Sequence, residues 1–139
     1  MTRCNLVPPS ELADQHLFAE WRELKMFPKS LARSLRARGL QGVLDIIPAE
    51  YTLGKGHVSF FYNKGAYLST RYIALTAELR KRGVNFDIAS TFDPGHVFAL
   101  NSSLFGPYCP TEAALVVIRT RIAEKIAMKP EWYRWTRVL

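Results

Sequence analysis

Apolar side chains recur with helical spacing from Asp14 onward. Leu17, Trp21, Leu24, Leu31 and Leu35 fall at i, i+4, i+7, i+14 and i+18, one stripe down an amphipathic helix. At 100° per residue, Arg22, Lys25, Lys29, Arg33 and Arg36 gather on a face well away from that stripe. His16, Glu20 and Glu23 lie along one border of it, where a partly buried carboxylate can face a cleft. Pro28 must kink or restart the helix, and Gly39 and Gly42 are expected to end it. A second helix is predicted over 66–82, with Leu68, Tyr72, Leu75 and Leu79 on one side. Arg80, Lys81 and Arg82 complement its C-terminal dipole, and Gly83 caps it. Thr111, after Pro110, is a fair N-cap for a third helix ending before Pro130. Leu115, Ile118, Ile122 and Ile126 form the core stripe of that helix. Arg121 and Lys125 stand beside it as a like-charge i, i+4 pair that a polyanion would relieve.

The intervening stretches are less periodic. Residues 39–63, including TLGKGHVSFFYNKG, read either as a short strand or as a loop leading into a helix; GKGH lacks the spacing of a phosphate loop. Residues 83–110 carry Asp93-Pro94-Gly95, Asn101-Ser102-Ser103 and Gly106-Pro107, turn signals that predict an irregular connection. With no repeat, linker or low-complexity run, the expectation is an all-α, compact three-helix domain with long irregular loops, a single unit over residues 1–139.

The chain is 48% hydrophobic and 22% charged, ordinary globular values that leave the net charge of +7 as the informative quantity. Residues 20–38 and 119–139 each hold six Lys/Arg against two Glu, so each contributes +4 and the remainder is slightly acidic. Such concentration suits a polyanion partner; a solvated surface is the plainer reading. The tail from Lys129 to Arg137 interleaves Trp132, Tyr133 and Trp135 with base, a mixture suited to stacking on nucleobases and neutralising phosphates, or to folding back onto the core. Cys4 and Cys109 form neither a metal-spaced cluster nor a disulfide framework and read as two small core residues. His16, His57 and His96 lack ligand spacing, so no metal and no cofactor are expected. The opening is interrupted by Arg3, Glu11 and Asp14, unlike a secretory signal, and no run approaches the roughly 20 apolar residues of a membrane span. An intracellular protein making no membrane contact is therefore expected.

The first residues carry a further possibility. Thr2 is small enough for the initiator methionine to be removed, leaving a backbone amine. An α-amino group titrates near 7.7–8.0, so roughly a tenth of such termini are uncharged at neutral pH, far more than for a lysine. Held near a carboxylate, that amine is a ready nucleophile; otherwise it is a frayed end.

Several motifs in order are more specific than any of these features alone. MTR-x-NLV, SELADQHL-x-AE-x-REL, TLG-x-GHVSFFY-x-K, the KRG after the second helix and EKIA-x-KP-x-WY resemble the phage-type pyrimidine-dimer DNA glycosylases, the UV-repair kind of endonuclease V. The likeness is dense in residues 1–27 and 52–83 and weak in 84–107. It implies an all-α fold whose N-terminal segment threads between the first and third helices. It also implies cleavage of the glycosidic bond of the 5′ base in a cyclobutane pyrimidine dimer, then strand scission at the abasic site, with no metal. By position, Thr2 supplies the nucleophilic amine and Glu23 the essential carboxylate. Arg3, Gln15, His16, Arg22 and Lys25 match the neighbourhood of lesion and phosphates; Arg121, Lys125 and Lys129 match flanking basic positions, and Trp132 with Tyr133 the aromatic tail. The implied partner is double-stranded DNA carrying UV photoproducts, with non-specific duplex binding, by a monomer. The chain departs from the phage pattern at Lys25-Met26, at Pro28 and at Trp135-Thr136. The competing readings are a basic DNA-binding module without catalysis and a protein–protein adaptor using the tail.

Overall fold

Pro28 decides how the first long stripe is divided. A proline inside a helix clashes with the carbonyl four residues earlier and has no N–H to donate, so it is tolerated only near a helix start. Four residues before Pro28 is Leu24, and there the first helix stops. In the computed structural model, which describes residues 4–86 and 93–137, α1 runs Asp14–Glu23 and α2 runs Met26–Asp45 with Pro28 in its first turn. Leu24 and Lys25 keep right-handed helical angles, so the stripe survives the break: Leu17, Trp21, Leu24, Phe27 and Leu31 are all buried. α3 is Gly65–Lys81 and α4 is Glu112–Met128. The all-α expectation holds, with four α-helices among the described residues in place of three because one predicted helix is two.

Gly39 interrupts α2 at φ 72°, a conformation glycine adopts without steric cost, yet the chain then resumes helical turns as far as Asp45. Gly42 therefore does not terminate the helix. The ambiguous stretch that follows is the loop alternative. No strand occurs among the described residues; Ser59–Phe61 is a short 3-10 turn leading into α3. Phe60, Phe61 and Tyr62 are buried consecutively, which an alternating half-buried strand does not permit. Tyr51, His57, Phe60 and Phe61 pack edge-to-face there, with ring centroids 5.1–6.2 Å apart.

α3 is the central element. Leu68, Tyr72, Leu75 and Leu79 are buried as the periodicity predicts. Its end is sealed by Gly83 at φ 74°: the Gly83 N–H bonds the Arg80 carbonyl and the Val84 N–H the Leu79 carbonyl, both at 3.0 Å. Among the described residues, the irregular stretch beyond contains the 3-10 turns Val97–Leu100 and Ser102–Leu104. α4 covers one side of the core, burying Ala114 and Ile118 with Leu115 and Ile122 partly buried against the cluster. Thr111 caps it, its Oγ1 accepting the Ala114 N–H at 3.0 Å. Thr111→Ala is expected to cost about 1 kcal/mol, read as a lowered urea midpoint at unchanged slope.

The cysteines part company. Cys4 is buried in the core, but Cys109 is exposed, because it stands in the extended lead-in to α4 between Tyr108 and Pro110. Both thiols are free. No helix among the described residues is long and apolar enough to cross a membrane.

Candidate active site

Residues 4–7, ahead of α1, form an interior strap. Cys4, Asn5, Leu6 and Val7 are all at most 5% exposed, and four side chains from other elements hold its backbone. The Cys4 N–H donates to His57 Nε2 at 2.9 Å, and the Cys4 carbonyl accepts from the Tyr51 hydroxyl at 2.9 Å. His57 Nδ1 donates in turn to the Thr52 carbonyl at 2.8 Å, because Nε2 is occupied as the acceptor. The Asn5 N–H donates to Glu20 Oε1 at 3.1 Å, and the Val7 carbonyl accepts from Arg71 Nη1 at 2.5 Å. Between them Leu6 takes φ 59°, with the Val7 N–H bonded to the Asn5 carbonyl. A non-glycine residue at positive φ is strained, and strain persists only where the surroundings over-determine it. Here they do.

Glu20 and Arg71 are themselves a buried pair. Arg71 Nε meets Glu20 Oε2 at 2.7 Å and Nη2 meets Oε1 at 3.0 Å, a two-pronged contact between α3 and α1. Burial opposes the guanidinium charge, but the adjoining Glu20 carboxylate outweighs it and holds Arg71 above its ordinary value. The Cys4 thiol close by is pushed up by burial, so it is a packing group and not a thiolate.

This strap forms one wall of a cavity of about 190 Å³. Asn5 contributes from the strap, His16, Ala19, Glu20 and Glu23 from α1, and Ile122 and Lys125 from α4. The α1 residues recur every three or four positions and so share a face, and Ile122 and Lys125 are likewise i, i+3. A second hollow on the far side of Glu23 is lined by Ala19, Arg22, Glu23 and Met26. Glu23 thus stands between two concavities, half-buried.

The C-terminal tail closes over the start of α1. Gln15 spends both ends of its amide on tail backbone: Nε2 donates to the Trp132 carbonyl at 2.5 Å and Oε1 accepts from the Arg134 N–H at 3.1 Å. Asp14 accepts from the Thr136 N–H at 3.0 Å and from its hydroxyl at 2.5 Å, and also from Arg82 Nη1 at 2.9 Å. Burial alone would raise the Asp14 carboxyl, but the Thr136 and Arg82 bonds outweigh it and hold it below the ordinary carboxylate value. The tail folds back with its aromatics at the surface: Tyr133 lies against His16 at 4.7 Å between centroids, while Trp132 is 57% exposed.

The sequence-derived positions are accordingly divided. Glu23, His16 and Lys125 come together in the cavity, with Tyr133 joined to them through His16. Arg22 is exposed at the second hollow, its guanidinium 5.7 Å from the Phe18 ring, and Lys25 sits 3.9 Å over the Trp21 ring. Arg121, half-buried outside the cavity, pairs with Glu124 at 3.4 Å, and Lys129 is exposed at the end of α4. Gln15 serves the tail. Thr2 and Arg3 lie outside the described residues. Asn5, Tyr51, His57 and Arg71 escaped the sequence reading, although Arg71 stands three residues after Leu68 and four before Leu75. A charge on the apolar face of one helix, matched by Glu20 on the stripe border of another, is a legible sign of a buried pair.

Taken together, fold and site define a small, basic, all-α protein with a carboxylate and an amine on the walls of one cavity beside an anchored N-terminal strap. Residues 1–91 match the family model for pyrimidine dimer DNA glycosylases, and the chain belongs to that family, DNA-repair glycosylases that act on DNA containing pyrimidine dimers. The matched span includes α1 to α3 and stops short of α4, so Ile122, Lys125 and the tail come from outside it.

Proposed function

We propose that the protein removes the 5′ pyrimidine of a cyclobutane dimer and then nicks the strand, through an imine between the Thr2 amine and the damaged deoxyribose. The observation carrying this reading is the cavity itself: Glu23 shares it with Asn5, and Asn5 is only three residues from Thr2, a length of chain that spans at most about 10 Å. With the strap's backbone held at Cys4, Asn5 and Val7, the leading amine has a short tether to the carboxylate.

The chemistry balances with these groups alone. Glu23 takes one proton from the terminal ammonium, and the freed nitrogen pair bonds to C1′. The base departs with the electrons of the glycosidic bond and picks up a proton shed by the nitrogen. The remaining nitrogen pair forms C1′=N as the C1′–O4′ bond breaks, and O4′ takes the proton that Glu23 holds. The iminium now faces an anionic Glu23, which stabilises it and then accepts a C2′ proton, so that β-elimination expels the 3′ phosphate. Arg3, Arg22, Lys25, Arg121 and Lys129 supply phosphate contacts to damaged and undamaged duplex alike, Gln15 and His16 set the tail, and Trp132 and Tyr133 offer rings to unstacked bases. A monomer suffices for all of these roles.

A second reading is favoured by one observation: Lys125 puts another amine on the same cavity wall. Borohydride trapping on a dimer-containing duplex separates the possibilities. A covalent adduct whose peptide map ends at Thr2 is expected. An adduct at Lys125 transfers the nucleophile to α4, and no adduct at all leaves a DNA-binding module.

A further inference from the structure

Asn5 combines burial, position and an uncommitted side chain. It is 5% exposed and lines the cavity with Glu23, and its backbone N–H is spent on Glu20 while its carbonyl accepts from Val7. Its side-chain amide makes no hydrogen bond among the described residues. The amide is not cut off from solvent: it faces the cavity, where it is a donor available to a molecule bound there. The strained turn at Leu6 holds residue 5 with its backbone clamped and its side chain in the cavity wall, so the donor is fixed in place before any substrate arrives.

We infer that the Asn5 amide is a catalytic group that donates a hydrogen bond to deoxyribose O4′ during imine formation. The inference rests on the imine reading above and adds a residue to it. O4′ is bonded to the carbon under attack. It begins as a ring ether oxygen, gathers negative charge as the C1′–O4′ bond breaks, and ends as a hydroxyl carrying the proton from Glu23. A pre-placed N–H donor on the cavity wall stabilises that developing charge without reorganising. Asparagine suits the place better than a cation, which would repel the iminium forming one bond away. It also suits the place better than a carboxylate, which would repel the oxygen.

The test uses the full chain and a duplex carrying one abasic site. Asn5→Leu is expected to slow single-turnover borohydride trapping about 100-fold, the usual consequence of removing one such donor. Affinity for a duplex with a tetrahydrofuran abasic analogue should stay within about threefold, because the bond strengthens only as the ring opens. The melting temperature should stay close to that of wild type, because the substitution breaks no side-chain hydrogen bond to the described residues. A purely structural asparagine gives the opposite pattern, a lower melting temperature with trapping within about threefold of wild type, and that result overturns the assignment while leaving the imine intact. Asn5→Ala guards against misfitting of the leucine: folded by circular dichroism, it must show the same loss of rate. Failure of the wild-type protein to form any adduct removes the imine and the role of Asn5 together.

Discussion

Glu23→Gln is expected to abolish nicking of irradiated plasmid, with the single-turnover rate at a dimer falling at least about 1,000-fold. The size follows from three tasks resting on one side chain in the proposed chemistry: accepting the ammonium proton, returning it to O4′, and neutralising the iminium. General acid–base help alone is worth about 10²–10⁴ in rate, and charge stabilisation about as much again. Glutamine keeps the size and hydrogen bonds but loses the charge and the titrating proton, so folding and duplex affinity should survive. Half-buried at a cavity mouth and outside the core cluster, Glu23 has little packing to lose. Equal affinity by gel shift, with adduct absent, is the expected pair of results; nicking within tenfold of wild type ends the role assigned to this carboxylate.

Arg71→Met is expected to produce the largest loss of stability of any single substitution at the strap, about 3–5 kcal/mol, read as a urea midpoint shift at 25 °C. Removing the guanidinium leaves Glu20 charged and buried, with its carboxyl 0% exposed, and strips the Val7 carbonyl of its donor. Solvent screening cannot soften this, since both side chains are out of water. The double variant Glu20→Leu with Arg71→Met should recover a large part of the loss, because an apolar pair of similar volume avoids the stranded charge. If the single variant melts within 1 kcal/mol of wild type, the pair is not carrying the strap.

How much of this was legible depended on whether a signal was local. Periodicity located α3 and α4 to within a residue or so, and Thr111 and Gly83 act as the caps their types suggested. The border position of Glu23 followed from helical arithmetic on α1 and proved to line a cavity. What stayed hidden was non-local. That Pro28 would divide the stripe at Leu24, where alternative kinks were open, depended on which side of the bend packed. That consecutive aromatics at 60–62 would bury as a turn depended on Tyr51 and His57 closing around them. The anchoring of Cys4 joins residues 53 apart, and the Arg71 bond to Val7 joins residues 64 apart, pairings that no window on the sequence exposes. Gln15, matched by its motif to the neighbourhood of the lesion, also holds a tail segment 117 residues away, a pairing equally invisible to local sequence.

Those separations bear on how the molecule comes into being. The strap docks against His57 and Arg71, 53 and 64 residues further along the chain, and the seal over α1 needs residues 132–136. Closing loops of that length costs chain entropy before any contact repays it, so the strap is expected to settle late in folding, after α3 has formed.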